Sequence, residues 1–481
     1  MEDKDFSVKS ENKNFLLNVA YQLLSYVFPL ITVSYISRRL GVANVGIYSY
    51  TYSIVYMFML VAMLGINNYG NREIAKVRDN RAKTSNKFWE IYKLQLSIVA
   101  ITILGYVIYL FFFCKKYENI AIMQGVFLLS VCFDINWFYF GLEKFKLTIT
   151  RNCIIKVISL ILIVCFIRTQ NDLVKYTLIM AGSTVLSQLY LMISLPKFID
   201  YKKTSLANSR KHLKSCLILF IPVLAFGIYR VMDKTMIGAF SNVNELGYYE
   251  NAERLINIPI SIINALGTVM LPRMAYLLQN KKMESKSVLH SSMKLALVMA
   301  TIMAGGLFLI SDDIAVVLFG SSFIKSGNIM RILSVTIIAS AWANVIRTQY
   351  LIPMGFDKVY VISTLGGAIV NLILNLLLIR SFGAYGACVG TIAAEYFVML
   401  YQTYKVKNVL EIKKYFTLLL DCLIKDFGII IIAYFIGKLF DVIYIRLFVQ
   451  ISVSILLFIL LYYKFIIFEF LGKKQMNIKM N

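Results

Sequence analysis

Charge is scarce in this sequence. Only 16% of its 481 residues are Asp, Glu, Lys or Arg, where soluble domains carry about 25%. Apolar residues make up 59%, with a mean hydropathy of +0.70, against about 45–50% in soluble domains. A soluble enzyme, a coiled coil and a disordered tail are thereby excluded. The seven cysteines (Cys114, Cys132, Cys153, Cys165, Cys216, Cys388 and Cys422) have neither metal-ligand nor disulfide spacing. They lie in or beside apolar runs and read as small apolar side chains. The phosphate-cradling pattern is missing, since Gly437-Lys438 is followed by Leu439, so ATP is not expected as a direct energy source. The N-terminus is polar and mixed in charge up to Lys13, without the pattern of a cleavable signal. No cofactor or metal is expected, and no residue reads as catalytic.

What is present is apolar length, enough for about fourteen bilayer-spanning helices of about 20 residues each. Apolar runs lie near 15–37, 45–68, 89–113, 119–141, 147–167, 173–195, 216–239, 247–271, 291–311, 328–351, 358–379, 383–404, 420–439 and 443–469. The net charge of +24, from 50 Lys and Arg against 26 Asp and Glu, would suggest nucleic acid in a soluble protein. Here it follows the accumulation of Lys and Arg in cytoplasmic loops, which predicts that both termini face the cytoplasm. The densest basic stretches are Arg72 to Lys87, Lys197 to Lys214 and Arg273 to Lys294. Connections of about eleven residues leave no room for a soluble catalytic domain.

The chain repeats itself weakly. Pro29 in the first span corresponds to Pro222 in the seventh, and Gly46-Ile47-Tyr48 to Gly247-Tyr248-Tyr249. Gly141-Leu142-Glu143-Lys144 after the fourth span corresponds to Gly355-Phe356-Asp357-Lys358 after the tenth. The fold expected is therefore all-α and polytopic, with two parallel six-helix repeats and two C-terminal helices. The predicted organisation is a cytoplasmic N-terminus (1–14), a first bundle (15–195), a basic linker (196–215), a second bundle (216–404), and helices 13–14 with a cytoplasmic tail (405–481). Parallel repeats place a cavity where the halves meet.

Hydrocarbon penalises polar side chains, so those within spans should face a cavity or one another. In the eighth span Glu250, Arg254, Asn257, Ser261, Asn264 and Thr268 fall on one helical face, with Glu253 beside it. The first span offers Tyr21, Ser25, Thr32, Tyr35 and Arg39. Arg230, Asp233 and Lys234 in the seventh lie within about 100° of arc. Arg230 and Arg254 fall at similar depth, and three cations in one layer suit an oligoanion such as pyrophosphate. The plainer reading is an ion-pair network. Glu250 precedes Arg254 by four, Glu253 lies within reach of Arg230 or Lys234, and Asp233 completes a formally neutral layer. Lys156 and Asp134 also lie inside spans, and Arg331 and Arg347 near helix ends read as snorkelling. Glu395 is a lone mid-span carboxylate, either a coupling-proton carrier or a neutral hydrogen-bonded group. Pro29, Pro222 and Pro259 permit kinks, and Pro29 and Pro222 are candidate hinges for alternating access.

Several stretches resemble a known family. Arg38-Arg39-Leu40-Gly41 with Gly46-Ile47-Tyr48, and the run from Asp134 through Trp137-Phe138-Tyr139-Phe140-Gly141-Leu142-Glu143-Lys144, are similar to Wzx-type polysaccharide flippases. So are Asp233 to Gly238, Leu246-Gly247-Tyr248-Tyr249 with Ala252, and Leu318-Phe319-Gly320 with Phe323. The resemblance implies the fold of the multidrug/oligosaccharidyl-lipid/polysaccharide exporter superfamily. It also implies outward transfer of an undecaprenyl-diphosphate-linked oligosaccharide across the bacterial cytoplasmic membrane, beside glycosyltransferases and a polymerase making capsule, exopolysaccharide or O-antigen. The family's cationic cavity would fall to Arg230, Lys234, Arg254, Lys156 and Arg38. Two diphosphate charges would gain roughly 4–5 kcal/mol per 100 mV of inside-negative potential.

Three alternatives stay open at this point. A multidrug exporter of the same fold would use Glu250, Glu253 and Glu395 for organic cations. A flippase for the peptidoglycan precursor is chemically close, although Leu40-Gly41-Val42-Ala43-Asn44 lacks the Arg-acid pair typical after Leu-Gly there. A membrane-embedded glycosyl transferase would want a large external loop, for which there is no room.

Overall fold

The structure, a computed structural model, describes the backbone of residues 2–470 and the side chains of 28–463 except 206, 207, 225 and 282. Tyr21 and Ser25 of the first-span stripe, and the tail past residue 470, lie outside the described residues. Described residues form helices and no strand. In chain order these are α1 (Glu2–Met63), α2 (Ile66–Ala75), α3 (Arg81–Phe113), α4 (Glu118–Ser130), α5 (Asn136–Gly141), α6 (Phe145–Phe166), α7 (Leu173–Ser194), α8 (Leu206–Arg210) and α9 (Leu213–Phe240). There follow α10 (Val243–Asn280), α11 (Lys282–Phe319), α12 (Ile324–Leu333), α13 (Thr336–Ile346), α14 (Asp357–Phe382), α15 (Ala384–Val406), α16 (Ile412–Gly437) and α17 (Ile443–Phe470).

Ten helical stretches among the described residues are long and apolar enough to cross a membrane, or twelve if two bent pairs count as one span each. Two features separate this from fourteen. The first two expected spans are joined in α1, which breaks only at Gly41 (φ 74, ψ 174), a backbone conformation open to glycine. In α16 the charges Asp421, Lys425 and Asp426 interrupt the apolar run. The basic stretch Arg273 to Lys294 is also no loop, because α10 and α11 are separated by Lys281 alone.

By packing, the chain divides into two compact units, Met1–Gly247 and Tyr248–Asn481. In the first, a short 3-10 turn at Val131–Phe133 separates α4 from α5. Asp134 Oδ1 accepts from the Asn136 backbone N–H at 3.1 Å and from its side-chain amide at 2.6 Å, starting the new helix. Trp137, Phe138 and Tyr139 then enter a core with Ile66, Ile74, Phe88 and Ile91. Gly70 of α2 lies directly under the Trp137 indole, and Gly141 packs on Ile74. Trp137 Nε1 donates to Gln95 Oε1 at 3.0 Å, while Gln95 Nε2 donates to the Val131 and Asp134 carbonyls at 2.8 and 2.9 Å. The flippase-like stretch is therefore a packing motif, since in lipid close contact between small and large residues holds helices together.

The paired glycines of the repeat also meet. A Cβ on Gly46 would run into the Val243 carbonyl oxygen, and one on Gly247 into that of Val42. Each contact lies four residues before the opposite glycine, so the two approaches are reciprocal. The third sequence match is less alike, since Gly141 is helical and Gly355 has φ 72. Helix α9 bends by 46° between Leu213–Leu224 and Phe226–Phe240, just past Pro222. In α1 the residue leaving helical geometry is Gly41 rather than Pro29.

In the second unit, α14 and α15 are joined through Gly383 alone and pack tightly along Gly367, Gly386 and Gly390. Gly327 of α12 lies against Ser311 and Asp312 of α11. A π-helical turn at Arg347–Leu351 follows α13.

Candidate functional site

Three of the six charges expected in one layer end the first unit and three begin the second. On α9, Arg230 is exposed, and Asp233 and Lys234 are half-buried. Arg230 makes no ion pair among the described residues, whereas Asp233 and Lys234 each have polar partners. Thr235 Oγ1 donates to Ser53 Oγ at 2.9 Å, tying this turn of α9 to α1. Arg38 on α1 is exposed. Lys156 on α6 is half-buried and, like Arg230, forms no ion pair among the described residues.

In the second unit the plainer reading is realised for one pair. Arg254 Nε donates to Glu250 Oε1 at 2.7 Å, and Glu250 is only 5% exposed. Glu253 is half-buried, and Asn257 and Asn264 are exposed. Ser261 and Thr268 hydroxyls donate to the carbonyls of Asn257 and Asn264 at 2.7 and 3.0 Å, so they bond their own helix. Asn264 Oδ1 accepts from Asn344 of α13 at 2.6 Å, an interhelical bond. Glu395 accepts from Ser340 at 2.7 Å and is thus hydrogen-bonded rather than alone.

Two residues read as snorkelling have specific partners. Arg331 Nη2 meets Asp312 at 2.6 Å, and the Arg347 guanidinium stacks over Tyr360 at 5.6 Å. Asp313, next to Asp312, accepts two bonds of 2.6 Å from Arg446 of α17.

Sequence reading missed Arg151, which is 5% exposed in the first unit. Its guanidinium donates to the Ser187 carbonyl (3.3 Å), Gln188 (3.2 Å), Asn136 (3.1 Å) and Asn152 (2.9 Å), bringing α5, α6 and α7 together near Asp134. An arginine six residues into an apolar helix was the available signal. His212 was also missed. It is buried between Tyr69 (2.6 Å) and Glu90 (3.1 Å) where α9 begins.

At the polar margin of the first unit, Arg81 grips Asp200 at 2.8 and 3.1 Å. That guanidinium holds the Asp200 carboxyl below the usual carboxylate range. Lys414 does the same for Glu411. Among the described residues no group of His, Cys, Asp and Glu is arranged to hold a metal.

The model of the family described as "Polysaccharide biosynthesis protein" matches residues 12–278, over half of the chain. The chain belongs to that family. A second model, "Lipid II flippase MurJ", matches residues 153–462, so this polysaccharide biosynthesis family member shares most of its length with that family too. A "Putative O-antigen transporter" of Escherichia coli (strain K12) is 20% identical over 83% of this chain and 97% of its own length. One of the same description from Shigella dysenteriae is 22% identical over 82% and 100%. A "Probable low-salt glycan biosynthesis flippase Agl15" of Haloferax volcanii is 27% identical over 40% of each chain. Among solved structures, a lipid II flippase MurJ in an inward closed conformation superimposes with a TM-score of 0.72 at 17% identity, covering 94% of this chain and 100% of its own. An inward-facing MATE family multidrug transporter gives 0.59 at 16%, covering 79% and 94%. These likenesses show the fold. The resemblance to Wzx-type polysaccharide flippases of that superfamily holds.

Proposed function

We propose that this member of the polysaccharide biosynthesis family is a flippase that carries undecaprenyl-diphosphate-linked oligosaccharide repeat units to the outer leaflet of the bacterial cytoplasmic membrane. The family match over residues 12–278 carries the reading. Three curated relatives support it, being described as O-antigen transporters or a glycan flippase. The product would feed capsule, exopolysaccharide or O-antigen synthesis, with glycosyltransferases and a polymerase as working partners.

Arg230, Lys234, Arg254, Lys156 and Arg38 are the proposed cations for the diphosphate, and Arg230 and Lys156 are the best supported because neither is committed to an ion pair among the described residues. Arg supplies a planar fork for phosphate oxygens, and Lys a mobile point charge. Asp233, Glu250, Glu253, Asn257, Asn264, Asp134 and Glu395 would hold or balance those cations. The bend after Pro222 supports α9 as a moving element of alternating access. Both termini are proposed to face the cytoplasm. In favour, two basic stretches meet through Arg81 with Asp200, and Lys93 with the Thr204 carbonyl at 3.0 Å.

Deleting the gene tests the reading. Cells should accumulate lipid-linked repeat units on the inner leaflet and lose surface polysaccharide, with peptidoglycan synthesis intact. The MurJ match over 153–462 favours a second reading, transfer of the peptidoglycan precursor. Lysis with normal surface polysaccharide would establish that reading and refute the first.

A further inference from the structure

One ionisable group buried in the second unit has no part in the function above. Asp426 of α16 is only 2% exposed, enclosed by α16, α11 and α17. Its Oδ1 accepts one long hydrogen bond, from the Tyr462 hydroxyl at 3.2 Å. Its Oδ2 is buried and accepts none among the described residues. Thr301 of α11 faces the carboxyl, and its one hydroxyl hydrogen is shared between Asp426 and the Leu297 carbonyl, which lies 2.8 Å away.

The neighbouring charges do not neutralise it. Lys425 is bound to Asp421 at 2.6 Å, on the exposed side of α16, and its ammonium lies over the Tyr462 ring at 5.8 Å. Tyr462 on α17 and Cys422 on α16, with Val298 of α11, form the apolar packing around the carboxyl. A carboxylate here would have only the two hydroxyls as donors and no ion pair of its own among the described residues. A carboxylic acid is satisfied at both oxygens, because its O–H can donate to Thr301 while the other oxygen accepts from Tyr462.

We propose that Asp426 is a proton-binding site that couples ambient pH to the docking of α16 on α11 and α17. The bound proton keeps the three-helix contact neutral. Releasing it to water leaves a carboxylate inside the packing and loosens it. Lys425 and Asp421, one and five residues before Asp426 on α16, are partly exposed and would open the way for the proton. The sign follows from linkage. A carboxyl protonated in the folded state contributes stability present at low pH and lost as pH rises.

The test uses the full chain in detergent, melted between about pH 5 and about pH 9. Wild type should lose melting temperature as pH rises, and Asp426→Asn should cut that slope by more than half. The infrared spectrum of wild type at about pH 5 should contain a buried carboxylic-acid carbonyl band that Asp426→Asn lacks and Tyr462→Phe shifts. If Asp426→Asn does not fold, the wild-type band and its shift in Tyr462→Phe still decide. Equal slopes, absence of the band, or stabilisation by sodium ions in place of protons would overturn the proposal.

Discussion

Gly46→Ala probes the crossing of α1 and α10. The added methyl would fall within the Val243 carbonyl and 3.1 Å from the Gly247 nitrogen. Both obstacles are backbone, so no side-chain rotation relieves them and the helices must separate. Overpacking of this kind costs about 1–3 kcal/mol, partly offset by the gain of up to about 1 kcal/mol from replacing a helical glycine by alanine. A net loss of about 1–2 kcal/mol is expected. Gly247→Ala, which meets the Val42 carbonyl, should behave alike. Once one methyl has opened the crossing the other finds room, so the double variant should lose less than the sum. Gly182→Ala is the control, because nothing lies within 4 Å of its Cβ position on α7 and only the propensity gain remains. The assay is thermal melting of the detergent-solubilised chain followed by size exclusion. If Gly46→Ala and Gly182→Ala shift melting in the same direction, or the two crossing variants add in full, the reciprocal contact does not exist as described.

Arg230→Ala should abolish or strongly reduce surface polysaccharide at unchanged membrane abundance, and normal export by Arg230→Ala together with Lys156→Ala would remove both as phosphate ligands. Arg254→Ala removes the 2.7 Å partner of the buried Glu250 and should lower abundance, whereas adding Glu250→Gln should restore it; immunoblots of membranes decide. Removing the two-bond grip of Arg446 on Asp313 by Arg446→Gln should cost about 1–3 kcal/mol and loosen α17, seen as faster hydrogen exchange in 443–463. Asp200 is exposed and held below the ordinary carboxylate range by Arg81, so its contribution exists above about pH 4 and fades as pH falls. Melting curves of wild type and Asp200→Asn should converge on acidification.

The helices were legible because their signal is length and composition, which lipid enforces without help from tertiary contacts. Boundaries inside them were not. The break at Gly41 falls between the first two expected spans, whereas Val131–Phe133 tightens into a 3-10 turn whose carbonyl partner, Gln95 of α3, comes from elsewhere in the fold. Sequence offered Gly46 and Gly247 as corresponding positions, not as a contact; that each lies against the backbone before the other comes from the fold. The run Trp137 to Lys144 was recognisable because close packing constrains residue size, with Trp137 on Gly70 and Phe88 and Gly141 on Ile74.

The charges were harder, because a sequence shows the sign and helical phase of a residue but not whether its charge is already spent. Arg254 and Arg331 looked alike as cations in or near spans, and each is held by a carboxylate at 2.6–2.7 Å. Arg151 is held instead by four neutral acceptors from three helices, which no local spacing reveals. An anion arriving at Arg254 competes with Glu250 for the guanidinium. Arg230 and Lys156 form no ion pair among the described residues, so a diphosphate meets no competing carboxylate there, and the proposed contact is tested first at those two.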